Sequence, residues 1–479
     1  MRRAGVWGAW YGAAAMSLGL AVLAGCIGSA EPRVPAIEGY LPRGKATVKP
    51  AGEAGAATEK AKAATLEECV KIALAESPMN EAAREGVVSA REAMGEAEAP
   101  YYPQAKFDAG YRRWKTHAFL PSGLLGLTPP GTTIPTEVGP VNDYTINVNG
   151  GYVVFDSGER RARLMAAKAG VGAATEEATS IRQDIVLNVH EAYYSHLAAL
   201  SAEEVAQKNL KLAEDHLRLA EKRKEVGVAV EADVMRSRVS VADARLALVG
   251  TEDLVRVTRG NLNTAMGLPV ELPVEVSREA GAIESPANVD LNKALVEAVH
   301  SRSELKAALQ RIAGARSEVD AAKSAFGPKV TAQGQYGKRD DKFFPEDDDW
   351  SIGAAVEWPI FTGFSRVHAL NRAKSELARE EALVRQRVLE VRQEVWRSHS
   401  ELTKSYEAVE ASEVLVKEAT ESMKLTQDRY KAGTNTITDL LDAQTALARA
   451  EGSRVRTQWE YYISRARFQR AMGEMDRSM

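Results

Sequence analysis

The sequence predicts a mainly α-helical chain in two structural repeats, each carrying a β-hairpin long enough to cross a membrane. Three observations predict it. The stretch Lys224–Gly267 has the same layout as Tyr430–Gly473. Gly227 pairs with Gly433, Asp233 with Asp439 and Met266-Gly267 with Met472-Gly473, always 206 residues apart and without a gap. Four stretches alternate apolar and polar residues over roughly ten positions, the length of a tilted membrane strand. Two further stretches, from Glu159 to Lys224 and from Ser365 to Ala432, read as very long helices broken only by isolated glycines such as Gly170 and Gly172.

The 479 residues could hold about three ordinary domains on length alone. A net charge of −4 argues against a nucleic-acid partner, which usually meets a basic face. Two cysteines cannot supply a disulfide framework.

Residues 1–25 read as a targeting signal: Arg2 and Arg3 precede an apolar run from Ala4 to Val22. A plain signal peptide and a membrane anchor are both compatible with that much. Leu23-Ala24-Gly25-Cys26 resembles the bacterial lipobox, in which cleavage precedes the cysteine and its thiol is acylated. The expectation is a lipoprotein signal peptide, a covalent lipid (palmitate) on Cys26 and no other cofactor. Ile27 follows; the absence of an aspartate there is compatible with the outer membrane. Residues 26–64, rich in Ala, Gly, Pro and charge, read as a tether. Within it Gly39–Ala46 nearly fits a phosphate-binding loop. Ala46 replaces the metal-binding hydroxyl, Pro42 interrupts the loop and no strand precedes it, so the match is rejected. Cys69 lies on a helical segment and is expected to be a small packed residue without chemistry.

Repeat 1 spans residues 65–267 and repeat 2 residues 290–473, with a linker at 268–289 and a tail at 474–479. Each opens with a helix, expected from Leu66 to about Ala99 in the first and from Leu291 in the second. There the repeats lie 225 apart: Leu66 with Leu291, Arg91 with Arg316, Pro103 with Pro328 and Tyr111 with Tyr336. Phe155 and Phe361 are again 206 apart, so one length change of 19 residues lies between Pro103 and Phe155.

That interval holds the first strand hairpin, 103–155; its counterpart is 328–361. Ala105, Phe107, Ala109 and Tyr111 alternate with Gln104, Lys106, Asp108 and Arg112. Tyr144, Ile146, Val148, Tyr152 and Val154 oppose Thr145, Asn147 and Asn149. Val330, Ala332 and Tyr336 oppose Lys329, Thr331, Gln333 and Gln335. Trp350, Ile352, Ala354, Val356, Trp358 and Ile360 oppose Ser351, Gly353 and Glu357. The first loop, expected from His117 to Val141, absorbs the length change. A soluble β-sandwich edge would also alternate. Aromatic residues near the strand ends, among them Tyr101, Tyr102, Trp114, Phe155, Trp358 and Phe361, favour two membrane interfaces instead. Four strands cannot close a barrel. Two copies give eight strands and a filled interior, whereas three give twelve and room for a channel. Head-to-tail cyclic assembly therefore suggests a homotrimer with a 12-stranded β-barrel.

The 66 residues from Glu159 to Lys224 would reach roughly 100 Å as a helix, enough to project from a membrane. In the second long helix Val384, Val388, Val391, Val395, Ser398, Leu402, Ser405, Val409, Ser412 and Val416 step by four and three. That is a coiled-coil seam with small polar gaps. Each long helix stops at a glycine suited to a left-handed helix end, Gly227 at tip 225–233 and Gly433 at tip 431–439, before a return helix.

The opening TLEE…ALAESP, the strand-to-helix turn Phe155-Asp-Ser-Gly158 and above all YKAGTNTITDLLDAQ make the chain resemble the outer-membrane efflux protein family. These are the TolC-like channel-tunnels, and in particular their lipid-anchored members. The resemblance covers about Thr65 to Gly473. It implies a trimeric 12-stranded barrel in the outer membrane, continuous with a coiled-coil α-helical tunnel through the periplasm. It further implies a gated far end that docks a periplasmic membrane-fusion adaptor and an inner-membrane pump of RND or ABC type, the pump choosing the substrate. By the same resemblance Tyr430 and Asp233 match positions that tie neighbouring hairpins in the closed gate, and Asp439 and Asp442 match acidic rings at its entrance. Asn435 stands where the best-known relative has an arginine, so any lock to Asp233 would be a neutral hydrogen bond.

Independently, Asp439 and Asp442 lie three apart on one helix face, and threefold symmetry would bring six carboxylates toward one axis. Such a ring favours cations. The plainer reading makes Asp439 a helix cap and Asp442 a solvated surface residue. In repeat 1 the matching positions are Asp233 and Arg236, so that hairpin lacks the acidic pair.

An enzyme is disfavoured. His190-Glu191 opens like a zinc-protease motif, but His196 is six positions on, off the face that would share a metal. No catalytic or metal site is expected. The acidic run 346–349 reads as a solvated external loop. The remaining alternative, a lipid-anchored periplasmic coiled-coil adaptor, needs one helical hairpin between lipoyl-like β-modules; this chain has two hairpins, each preceded by paired strands.

Overall fold

The computed structural model describes residues 63–117, 137–278 and 281–475. The lipobox with Cys26, the rejected phosphate loop and nearly all of the tether lie outside these. Among the described residues no helix is long and apolar enough to cross a membrane.

Repeat 1 begins with α1 (Leu66–Glu76) and α2 (Pro78–Glu98). Thr65 and Glu68 close a reciprocal capping box at the start of α1, which explains the TLEE signature. A single helix was expected to about Ala99. Pro78 starts a new helix instead, because a residue before proline is pushed to extended backbone, and Ser77 sits at ψ 121°. In repeat 2 the helices are α5 (Leu291–Ser301) and α6 (Ser303–Ser324), broken at Arg302 with the same ψ of 121° and no proline. Cys69 is fully buried, and burial pushes its thiol up to about 11, so it stays protonated.

Strands β1 (Gln104–His117), β2 (Glu137–Phe155), β3 (Lys329–Asp340) and β4 (Asp348–Glu357) form one antiparallel sheet in the order β1-β2-β3-β4. β1 and β2 run past the expected loop boundaries: they stay paired to His117 and Glu137 after a register shift between Trp114 and Thr116. The register keeps the alternation intact. Lys106 faces Asn149, Asn149 faces Gln335 and Gln335 faces Ser351, so one face is polar across the sheet. Phe107, Val148, Tyr336 and Trp350 make the other row and are exposed. β2 pairs with β3 although two long helices separate them in sequence. The sheet therefore joins the repeats, and among the described residues β1 and β4 are left as free edges.

Repeat 1 continues in α3 (Glu159–Glu225) and α4 (Glu231–Ala265), and repeat 2 in α7 (Ser365–Lys431) and α8 (Ile437–Met472). Each pair is an antiparallel hairpin, and α3 packs against α8 to join the two. On α7 the expected seam is buried from Val391 to Ser412. Ser398, Ser405 and Ser412 satisfy their hydroxyls on the carbonyls of Val395, Leu402 and Val409 at 3.1, 2.8 and 2.8 Å. Small side chains bonded to their own helix let α8 approach closely.

Halfway along, the linker is pinned to the helices. Tyr461 Oη donates to Glu284 O at 2.8 Å, and Tyr194 stacks on Tyr462 at 5.2 Å. Beside it an ionic cluster built on two buried arginines crosses four helices. Arg470 on α8 donates to Asp184 on α3 at 2.8 Å, and its guanidinium also meets Glu304 on α6. Arg302 donates to Glu394 on α7 at 2.8 Å and to Arg470 O at 3.1 Å, fastening the α5–α6 elbow to the end of α8. The two arginines hold Glu304 down to about 2 against the desolvation that opposes them. At the end of α4, Gly267 (φ 76°) brings a missing Cβ within 2.8 Å of Glu76 O, so only glycine fits.

Candidate functional site at the hairpin tips

Both long helices end in basic turns, Lys222-Arg223-Lys224 and Arg429 with Lys431, which suit the carbonyl ends of helices. Gly227 (φ 77°) and Gly433 (φ 83°) then reverse the chain through left-handed backbone, as the repeat alignment expects. The two tips differ in character. Val226, Val228 and Val230 of the first are exposed, whereas the second is Thr434-Asn435-Thr436.

The second return helix starts at Ile437, inside the expected tip 431–439. Thr436 is its N-cap and Asp439 its third residue, in a reciprocal box: Asp439 Oδ2 accepts from Thr436 N at 2.9 Å and Oγ1 at 2.8 Å. These bonds hold the Asp439 carboxyl below its usual range. The capping role is therefore present. It leaves the carboxylate exposed and charged on the same side of α8 as Asp442, opposite the buried Ile437 and Leu440. Asp442 borders an open groove between α8 and α4, shared with Arg236, Asp243 and Arg449.

Tyr430 is 4 % exposed and packs with Met423, Ile437 and Leu440. Its ring carries the guanidinium of Arg223 at 4.6 Å, and Arg223 Nη1 donates to the Tyr430 carbonyl. Within one chain the tips are thus tied by Arg223, a residue the sequence reading missed. Its only signal was its place in the last basic turn. The Tyr430 hydroxyl is buried without a hydrogen-bond partner among the described residues, and burial pushes its phenol above the usual value, with Asp233 adding to the effect. Asp233 bonds Arg236 at 3.3 Å. Asn435 makes no side-chain hydrogen bond among the described residues, so the neutral lock to Asp233 is not formed within one chain.

One turn above, a second polar tie crosses the α3–α8 seam. His216 Nδ1 meets Gln444 Oε1 at 2.9 Å, and Gln444 Nε2 donates to Asn209 Oδ1 at 3.0 Å. The bond assigns the proton to Nδ1 and leaves Nε2 buried and unpartnered. His196 is likewise buried, bonded to Thr258 at 3.0 Å, and desolvation pulls it down to about 4. Among the described residues no group of His, Cys, Asp and Glu has the arrangement to hold a metal.

The sequence profile of the outer membrane efflux protein family matches residues 69–268 and 294–474. The chain is 27 % identical over 387 residues to protein CyaE of Bordetella pertussis, covering 79 % of this chain and 78 % of that one. It is 25 % identical over 369 residues to the pyoverdine export outer membrane protein OpmQ of Pseudomonas aeruginosa, covering 75 % and 74 %. The fold matches the outer-membrane channel OprN with a TM-score of 0.73 at 22 % identity, over 85 % of this chain and 90 % of that one. It matches the outer membrane protein VceC of Vibrio cholerae with 0.72 at 20 %, over 85 % and 96 %. With two hairpins, four strands in one sheet and a profile that covers both repeats, the chain belongs to the outer membrane efflux protein family, the outer-membrane channels of tripartite efflux systems.

Proposed function

We propose that three copies of this chain close head to tail into a 12-stranded barrel continued by a helical tunnel. The assembly is a passive duct, gated at its periplasmic tips and energised by an inner-membrane pump of RND or ABC type through a periplasmic adaptor. The observation that carries this reading is the sheet. Its polar face runs unbroken across β1 to β4 and both outer strands keep a free edge, which a neighbouring copy satisfies only by continuing the sheet. The helices repeat the pattern. α4 and α7 have little contact with each other, and Val239, Leu246 and Leu254 on α4 and Leu389, Trp396 and Leu425 on α7 are exposed. A second copy would cover them.

In the trimer Asp439 and Asp442 supply six carboxylates around the tunnel mouth, and Tyr430, Asp233 and Asn435 lie where neighbouring hairpins meet. The exposed valines of the first tip give the adaptor an apolar place to dock. Acylation of Cys26 adds a lipid anchor to the barrel. Purified protein added to planar bilayers should open long-lived, cation-preferring pores. Absence of conductance from protein correctly inserted in the bilayer would contradict the duct.

A further inference from the structure

The two places where the sheet turns into a long helix are built alike. Arg160 lies over Tyr101 at 5.0 Å and donates to Pro100 O and Val154 O at 3.2 and 3.4 Å. Its repeat partner Arg366 lies over Phe326 at 5.3 Å and donates to Ala325 O at 3.0 Å and to Pro359 O. Arg160 and Arg366 are 206 apart, and Tyr101 and Phe326, like Pro100 and Ala325, are 225 apart, which are the repeat offsets, so each arginine is a staple holding strand end to helix start.

They differ in charge and in surroundings. Arg160 Nε donates to Asp156 Oδ2 at 2.7 Å, so that staple is neutral. The position matching Asp156 is Thr362, and Arg366 Nε donates to its hydroxyl at 3.1 Å. No carboxylate lies within ion-pair distance of Arg366 among the described residues. Around it Ile360 is 92 %, Phe361 73 % and Phe364 63 % exposed, and Phe361 and Phe364 meet edge to face at 5.5 Å. Phe364 sits at φ 64°, left-handed backbone where repeat 1 has Gly158. A bulky residue is disfavoured there, yet Phe364 stands there with its ring exposed, two residues before the cation in sequence. The collar continues the outward row of β4, from Ile352 and Val356 to Trp358 and Ile360.

We infer that the second junction, around Arg366, is a binding site for the phosphate of an anionic membrane phospholipid, with its acyl chains lying on Ile360, Phe361 and Phe364. The inference rests on the barrel reading, which sets this end of the sheet at the periplasmic face of the membrane. The unneutralised guanidinium keeps two N–H donors beyond its three bonds, and a phosphate oxygen accepts such donors strongly. The uncovered apolar rings suit acyl chains at the interface. The first junction, already neutralised by Asp156, takes none.

Native mass spectrometry of the full-length protein, released from membranes of equal phosphatidylglycerol and phosphatidylcholine, counts the lipid retained. One phosphatidylglycerol per chain is expected, preferred over phosphatidylcholine by about tenfold. Thr362→Asp rebuilds the carboxylate that repeat 1 already tolerates; it should cut retained phosphatidylglycerol to background, and Thr362→Ser should not. Equal retention of both lipids, or unchanged retention in Thr362→Asp, would overturn the site. Displacement of the lipid by inorganic phosphate alone would reduce it to a simple anion contact. Phe364→Cys inaccessible to a bilayer-soluble maleimide would mean that a second copy covers the collar, and also overturns it. A spectrum without trimers counts against the barrel reading and is distinguishable from loss of lipid on intact trimers.

Discussion

The guanidinium of Arg223, at the end of the first long helix, lies 4.6 Å from the ring centre of Tyr430, at the end of the second. It also bonds the Tyr430 carbonyl, so two ends far apart in sequence are held as one tip. A cation on a ring face contributes about 1 kcal/mol when partly exposed and more when desolvated.

Arg223→Ala should therefore loosen the tip and raise the resting conductance of single channels several-fold. Tyr430→Phe should leave it unchanged, because the hydroxyl has no partner to lose. A thermal shift for Tyr430→Phe within about 0.5 kcal/mol of wild type would agree with an orphan hydroxyl; a large loss would reveal a partner across the trimer.

Asp439→Asn combined with Asp442→Asn should weaken divalent-cation block of conductance several-fold, since block needs closely set carboxylates. Asparagine keeps the Thr436 box as an acceptor, so helix melting should move little. Unchanged block with intact folding would remove the gate role from these two positions and leave the duct standing.

Acid should melt the middle of the molecule in two steps. His196 titrates near 6.5 when unfolded and at about 4 when folded, because burial disfavours its charge. Below 6.5 the unfolded chain takes a proton that the folded chain refuses. This contribution is complete above 6.5 and lost as pH falls to about 4. Glu304, near 4.5 unfolded and at about 2 folded, is stabilising above 4.5 and loses that contribution toward 2. Each full step is on the order of 3 kcal/mol. Melting temperatures measured from pH 7.5 to 3 should fall in both windows, and Glu304→Gln should flatten the lower one. A flat profile would contradict the buried cluster.

Much of the fold is legible in the sequence. The repeat offsets located the hairpins, the alternation located the strands, and Gly227 and Gly433 marked the reversals, because each is a local rule of periodicity or backbone freedom. What escaped was non-local. Arg302 breaks a helix without proline because its side chain reaches Glu394 and the end of α8, which no local pattern announces. Arg223 and His216 look like ordinary surface positions until the partner helix arrives. The strands overran their expected ends because pairing across a bulge outweighed weak alternation. Asp439 is the cap that the plainer reading expected, and the capping bonds leave exposed the charge that the proposed ring uses.

On the proposed function, copies of the chain join edge to edge into a closed ring of three. β1 and β4 lie at opposite edges of the sheet, so a chain with Ala109→Cys and Ala354→Cys, tested with neighbouring pairs to cover the register, can cross-link these strands only between copies. Oxidation in the membrane should give dimers and trimers, and the ladder should stop at three. A ladder running on to tetramers and beyond, or no cross-link at any register, would contradict the closed barrel.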